Sequence, residues 1–96
     1  MSHRKYDIYI GSDNGSHRIN GEYLSKVVEW AKSAFPEGYT LFHGKGYWDG
    51  YSEDCILLSV LAQYEQRLAD SLKRLKEQLG QKAILLSRYD VDVEVV

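Results

Sequence analysis

The topology of this chain can be read outward from the stretch Tyr6-Asp7-Ile8-Tyr9-Ile10-Gly11, in which apolar and polar residues alternate. A period of two places Ile8 and Ile10 on one face, which predicts a first β-strand over residues 5–11. The following residues, 12–16, are short, polar or glycine, a composition typical of a turn.

A helix is predicted after this turn. Asn20 suits an N-cap, and Glu22 would lie in the first helical turn, where its charge favours the helix dipole. Apolar residues then recur three and four residues apart, which predicts an amphipathic helix over residues 21–35. Pro36 would end it.

A pair of strands is predicted next. Residues 39–43 are β-branched or aromatic and indicate a second strand. Glycines alternate with large aromatics over residues 44–50, which indicates the end of that strand and the tip of a hairpin. Residues 53–61 are rich in Ile, Leu and Val, so we predict a third strand that is buried on both faces for part of its length.

The last part of the chain predicts a helix and a strand. Four leucines at helical spacing indicate a helix over residues 65–79, with Gly80 as its C′ residue. Residues 83–89 indicate a fourth strand. Beyond them valines alternate with Asp90, Asp92 and Glu94, so this segment either continues the fourth strand or turns back beside it as an extra C-terminal strand.

The resulting order, β-α-β-β-α-β, predicts a single α+β domain over residues 1–96 with a ferredoxin-like fold. In that fold two helices cover one face of an antiparallel sheet. The other face would carry Tyr9, Phe42 or Leu41, and part of the run 56–61. Because this surface is too apolar to leave in water, we expect a homo-oligomer.

Composition limits the classes of function. The 96 residues carry a formal net charge of −2 and scattered positive residues, which argues against binding of long nucleic acids. The single cysteine, Cys55, excludes an internal disulfide and a multi-cysteine metal cluster. The longest apolar run is far shorter than a membrane span and no signal peptide is recognisable, so we expect a cytoplasmic protein that makes no membrane contact.

Catalytic and metal-binding patterns are weak. Cys55 lies within a hydrophobic strand, where a thiol is normally inert. The three histidines, His3, His17 and His43, lack metal-ligand spacing. The carboxylates of Glu53 and Asp54 have the positions of solvated strand-end residues. We therefore expect no catalytic residue, metal or cofactor, and no enzymatic activity.

Two loops carry the signals for ligand binding. The first, residues 11–18, leads to a helix N-terminus, where its backbone N–H groups, Ser12, Ser16 and Arg18 could hold a phosphate. Ser12 and Asn14 would supply hydrogen bonds to the ligand. The loop lacks the Gly-Lys-Ser/Thr of a triphosphate loop, and on its own an ordinary capped turn is the better explanation.

The second loop, residues 44–50, places Lys45 beside Tyr47 and Trp48. Aromatic rings stack on bases, and lysine attracts phosphate as a point charge. We add Arg88 as a further candidate for neutralising phosphate. Tyrosine and tryptophan also anchor protein interfaces, so a subunit contact remains the alternative for this loop.

The segment from Tyr39 to Leu58 contains the motif Tyr-Thr…Gly-x-Gly-x-Trp-x-Gly followed by an acidic, strand-forming run. It resembles the core of small uncharacterised proteins of bacteria, phages and mobile elements, as does Leu79-Gly80-Gln81-Lys82-Ala83. The resemblance implies a ferredoxin-like fold without enzymatic activity and assigns no ligand residue. In size and composition the chain is also similar to phage proteins that sequester cyclic nucleotide signals of bacterial immunity.

Three hypotheses follow. The leading one is a non-enzymatic, homo-oligomeric protein that binds a small anionic, nucleotide-derived ligand such as a cyclic oligonucleotide, a role that would suit phage anti-defence. The alternative is a protein-interaction module, or inhibitor of a host or defence protein, that acts through its exposed sheet face or its acidic last strand. The third is a small hydrolase or ring nuclease with His17 or His43 as acid–base.

Overall fold

A computed structural model describes residues 2–13, 15–63 and 67–96 of the chain. The elements in chain order are β1 (Ser2–Gly11), α1 (Gly21–Ala34), β2 (Thr40–Trp48), β3 (Tyr51–Ala62), α2 (Ala69–Leu79) and β4 (Leu85–Asp92). The strands form one antiparallel sheet in the order β2-β3-β1-β4. The predicted ferredoxin-like β-α-β-β-α-β fold is therefore confirmed.

The core lies between the helices and one face of the sheet. Alternate residues of the two central strands are buried there: Tyr6, Ile8 and Ile10 from β1, and Ile56, Leu58 and Val60 from β3. The helices supply Val27, Ala31, Leu72 and Leu75. Burial of this apolar surface is the main driving force for folding.

The signals at the helix ends act as predicted. The Asn20 side chain accepts a hydrogen bond from the Tyr23 backbone N–H at 2.8 Å, and α1 ends at Ala34, two residues before Pro36. Gly80 follows α2 in the left-handed conformation. The helices are joined by the Trp30 indole, which donates to Ser71 Oγ at 2.7 Å.

Several boundaries differ from the prediction. The first strand, expected over residues 5–11, begins at Ser2. The helix expected over residues 65–79 begins at Ala69, and residues 64–66 lie outside the described part of the chain. The fourth strand runs from Leu85 to Asp92, because the alternating valines continue it. In the described chain this leaves four strands and no separate C-terminal one.

The hairpin between β2 and β3 is longer than predicted. Residues 44–48 belong to β2 rather than to a loop, and a two-residue turn at Asp49 and Gly50 joins the strands. Both turn residues have positive φ, 47° and 83°. An Asp-Gly pair with this geometry is the tight hairpin turn whose twist matches that of the flanking strands.

The sheet face away from the helices is called the open face below. The prediction that β3 is buried on both faces is wrong, because helices cover only one: Leu57 is half-buried and Leu61 is 52% exposed. As predicted, Tyr9 and Phe42 point outward, whereas Leu41 packs against the core. The strand register gives the open face its other members, Lys5, Asp7, Thr40, Ser59, Leu85, Ser87 and Tyr89.

Candidate functional site

Three segments meet where β1 ends and β3 begins. Ser12, the first residue after β1, is only 1% exposed, and its hydroxyl donates to Glu53 Oε2 at 3.2 Å. The Gln81 amide, which follows α2, donates to the Ser12 carbonyl oxygen at 2.5 Å. This group, together with Asp54, Lys45 and the two histidines nearby, is called the sheet-end cluster.

The loop after β1 satisfies many of its own hydrogen-bonding groups. Asp13 accepts from the backbone N–H of Gly15 and from the hydroxyl of Ser16, both at 3.3 Å. Its carbonyl oxygen accepts from the N–H of His17 at 2.8 Å. His17 has a positive φ of 57°. These contacts use N–H groups that a phosphate would need, and they place a carboxylate among them.

Asp54 connects the loop to the hairpin. Its Oδ1 accepts from Lys45 Nζ at 2.6 Å, and its Oδ2 accepts from the N–H of Ile19 at 3.2 Å. These two hydrogen bonds, the lysine's first, hold the pKa of Asp54 below its ordinary value of 3.8. Asp54 also donates its own N–H to the carbonyl oxygen of His17 at 3.0 Å.

Two histidines lie beside the carboxylates. His17 Nδ1 is 3.9 Å from Glu53 Oε2, and His43 Nε2 is 4.0 Å from Asp54 Oδ2. Both distances exceed those of hydrogen bonds. The Ser12 hydroxyl donates to the Glu53 carboxylate and not to a histidine nitrogen. In residues 2–13, 15–63 and 67–96, no group of His, Cys, Asp or Glu could hold a metal ion.

A cleft of about 230 Å³ opens beside this cluster. Its lining residues are Tyr9, Ile10, Gly11, Glu53, Cys55, Gln81, Ala83 and Leu85. In the strand register Cys55 lies between Gly11 of β1 and Gly44 of β2, so neither neighbour contributes a side chain to this row of the sheet. A Cβ on Gly11 would lie 3.4 Å from Gln81 Oε1, whereas one on Gly44 would meet nothing within 4 Å.

Burial changes the acidity of two groups around the cleft. It raises the pKa of the Cys55 thiol, and the charge of Glu53 adds to the rise, so the thiol stays protonated and unreactive. Burial also raises the pKa of Tyr23 to about 12, opposed by a hydrogen bond with Gln81. The Tyr23 hydroxyl donates to the carbonyl oxygen of Gly11 and so braces the end of β1.

The structure brings two of the predicted ligand residues into the sheet-end cluster, Ser12 and Lys45. Arg18 is exposed in the loop between β1 and α1, and its backbone N–H donates to Ser16 Oγ. Asn14 lies outside the described residues.

The remaining predicted residues are spread out. Tyr47 is 76% exposed on β2, so it does not enter the core, and Trp48 ends the same strand but its side chain lies outside the description. Arg88 pairs with Tyr6 in the strand register. At about 3.3 Å per residue, the position of Arg88 is roughly 20 Å along the strands from that of Lys45.

The sequence did not point to the residues that shape the cleft. Glu53 and Gln81 look like ordinary surface residues, and only the fold brings them to Gly11. One signal was available: a glycine inside or at the end of a strand often marks close approach by another group.

No protein-family model and no curated protein matches this chain in sequence. Its fold is similar to that of two solved structures. One is CPII, a nitrogen regulatory PII-like protein from Thiomonas intermedia K12 bound to ADP, AMP and bicarbonate, with a TM-score of 0.63, 13% identity, and coverage of 100% of this chain and 97% of that chain. The other is a phage SAM lyase in complex with S-methyl-5′-thioadenosine, with a TM-score of 0.62, 10% identity, and coverage of 95% of this chain and 90% of that chain. At these identities the likeness shows the fold.

Neither of the two helices in the described residues combines the length and apolar character needed to cross a bilayer.

Proposed function

We propose that this chain forms a homo-oligomeric binding protein for a nucleotide-derived ligand, which it holds without chemical turnover. In this proposal the protein sequesters a cyclic nucleotide-type signal, a role suited to phage anti-defence. The observation that carries the proposal is the cleft at this end of the sheet, in which Gly11 leaves open backbone beside Cys55.

The shape and chemistry of the cleft suit the nucleoside part of such a ligand. A flat ring can approach the backbone closely where glycines flank the strand. Tyr9 and Leu85 supply aromatic and apolar walls. Glu53 is a hydrogen-bond acceptor for ribose hydroxyls or an exocyclic amine, and its charge favours a position for the phosphates outside the cleft.

Lys45 remains the proposed phosphate contact. Its side chain is 59% exposed, but its ammonium group already lies 2.6 Å from Asp54 Oδ1. A phosphate must therefore compete with Asp54 for this lysine. The adenosine-containing ligands of the two solved structures support the choice of ligand class, because both bind to the same fold.

The acidic last strand is a weaker candidate for a functional surface. Arg4 Nε lies 3.2 Å from Asp90 Oδ1, so part of the charge that would steer a basic partner is neutralised within the chain.

The test is native mass spectrometry of the protein with AMP, ADP and a panel of cyclic mono- and oligonucleotides. We expect a complex that retains an intact ligand, with no product detected by chromatography after prolonged incubation. Replacing Gly11 by Val should weaken binding about tenfold or more, because Gly11 lines the cleft and the branched side chain would occupy the space of a stacked ring. Lys45→Ala, combined with Trp48→Ala, tests the phosphate and stacking contacts separately from the cleft.

Gly21→Val is the matched control, since Gly21 lies in α1, is not among the residues that line the cleft, and a Cβ there meets nothing within 4 Å. Unchanged affinity of the Gly11 variant would contradict binding in the cleft. A ligand that is converted to product would contradict sequestration and favour the hydrolase hypothesis.

A further inference from the structure

Two hydrogen-bond acceptors converge on one point in the cleft beside the sheet-end cluster. A Cβ on Gly11 would lie 3.4 Å from Gln81 Oε1 and 3.5 Å from Glu53 Oε1, and all three residues line the cleft. Because Gly11 has no side chain, its own atoms leave the space between these two oxygens open. In the part of the chain that the structure describes, neither oxygen accepts a hydrogen bond.

The rest of each side chain is held by other contacts. Glu53 accepts from the Ser12 hydroxyl through its other oxygen, Oε2, at 3.2 Å, and the Gln81 nitrogen donates to the Ser12 carbonyl oxygen at 2.5 Å. Gln81 also forms a hydrogen bond with the Tyr23 hydroxyl, whose own proton is donated to the carbonyl oxygen of Gly11. The N–H groups of Gln81 are therefore used within the chain, and its Oε1 is left for the cleft.

This arrangement selects hydrogen-bond donors. A carboxylate oxygen and an amide oxygen both accept, and neither can donate. A nitrogen that carries two hydrogens can give one to each oxygen, whereas a carbonyl oxygen at the same place would face two acceptors and lose its own hydrogen bonds to water. The negative charge of Glu53, whose side chain is 23% exposed, strengthens this preference.

The size of the cleft decides which part of a nucleotide it takes. At about 230 Å³ it is smaller than the roughly 300 Å³ at which pockets for whole small molecules begin, so it suits one part of the ligand. Its apolar walls are Tyr9, Ala83 and Leu85. A flat base can lay its faces against such walls and turn its polar edge to the two oxygens, which a ribose ring cannot do.

We infer that the cleft recognises an exocyclic amino group on the base of the ligand, through Glu53 Oε1 and Gln81 Oε1. One N–H of the amino group donates to each oxygen. The inference rests on the proposed function and narrows its ligand class: a base with an amino group, such as adenine, is bound in preference to one with a keto oxygen in its place, such as hypoxanthine.

Matched nucleotides test the preference. AMP and IMP differ in this one substituent of the base, as do cyclic AMP and cyclic IMP. Isothermal titration calorimetry of the wild-type protein should give at least about tenfold tighter binding for the amino member of each pair that binds, because the keto member leaves both acceptors without a donor.

Glu53→Gln tests the assignment to this residue. The amide oxygen of the new side chain can keep the hydrogen bond from Ser12, which turns its N–H₂ group, a donor, to the cleft. We expect tighter binding of IMP than in the wild type, weaker binding of AMP, and a ratio of about threefold or less. Glu77→Gln, an exposed charge removal on α2, is the matched control and should keep the wild-type ratio.

The outcomes separate this inference from the proposed function. Equal binding of AMP and IMP by the wild type overturns the inference alone, as does a wild-type ratio in a Glu53→Gln variant that circular dichroism shows to be folded. Equal binding of AMP and IMP beside weaker binding of deoxyadenosine monophosphate would assign the oxygens to the ribose instead. A wild type that binds none of these nucleotides, nor any of the cyclic panel, overturns the proposed function and the inference with it.

Discussion

At the scale of single residues, Asp54 holds the sheet-end cluster together. It bonds Lys45 on the neighbouring strand and Ile19 on the loop, and both contacts favour its ionised form. Because its pKa is lower in the folded protein than in the unfolded chain, the ionised group stabilises the fold above pH 3.8. That contribution is lost as the pH falls through the folded-state pKa.

We therefore expect Asp54→Asn to lower stability at pH 7 and to lose this effect as the pH approaches 2. Urea unfolding of both proteins from pH 7 to pH 2 measures the difference. Glu29→Gln, at an exposed ion pair on α1, should show little difference at any pH. A gap between Asp54→Asn and wild type that stays constant down to pH 2 would contradict the assigned role of the charge.

At the scale of elements, the hairpin depends on its two-residue turn. Gly50 has φ of 83°, which side-chain-bearing residues adopt at a cost of about 1–2 kcal/mol. Gly50→Ala should therefore destabilise the protein by about that amount in urea unfolding. Gly44→Ala, on the same hairpin but without positive φ, should be neutral or slightly stabilising. Equal stability of the two variants would show that the turn is not a constraint.

The same turn shows what could be predicted from the sequence. Periodicity and caps gave the element order, because Ile8, Ile10, Asn20 and Gly80 act through local geometry. The pairing of Lys45 with Asp54 also follows from a local feature, the Asp-Gly turn midway between them. The sequence predicts a loop over residues 44–50 instead, because glycines interrupt the strand pattern there. The start of α2 was harder to predict, since its N-cap, Leu68, makes no side-chain capping bond.

The ligand site depends on contacts that no local pattern encodes. Gln81 reaches Ser12 across 69 positions of sequence, and Arg88 lies away from the sheet-end cluster because it pairs with Tyr6 in the middle of β1. Long-range register of this kind is fixed by packing of the whole sheet. A single sequence shows which residue types are available for a ligand but not which of them meet.

At the scale of the whole molecule, association through the open face would couple stability to concentration. If only the assembled form buries the apolar face, the melting temperature should rise by about 3–6 °C for each tenfold increase in protein concentration. Differential scanning calorimetry from 5 to 500 μM measures this slope. A flat wild-type curve would argue against an obligate assembly.

The strand order also has a consequence for biosynthesis. β1 occupies a central position, but its neighbours β3 and β4 emerge from the ribosome long after it, and β4 begins more than seventy residues after β1 ends. Until then at least one hydrogen-bonding edge of the first strand is bare, a state that invites pairing with other nascent chains. Completion of the sheet is therefore a late event in translation, and a stall before Leu85 would leave one hydrogen-bonding edge of β1 unpaired.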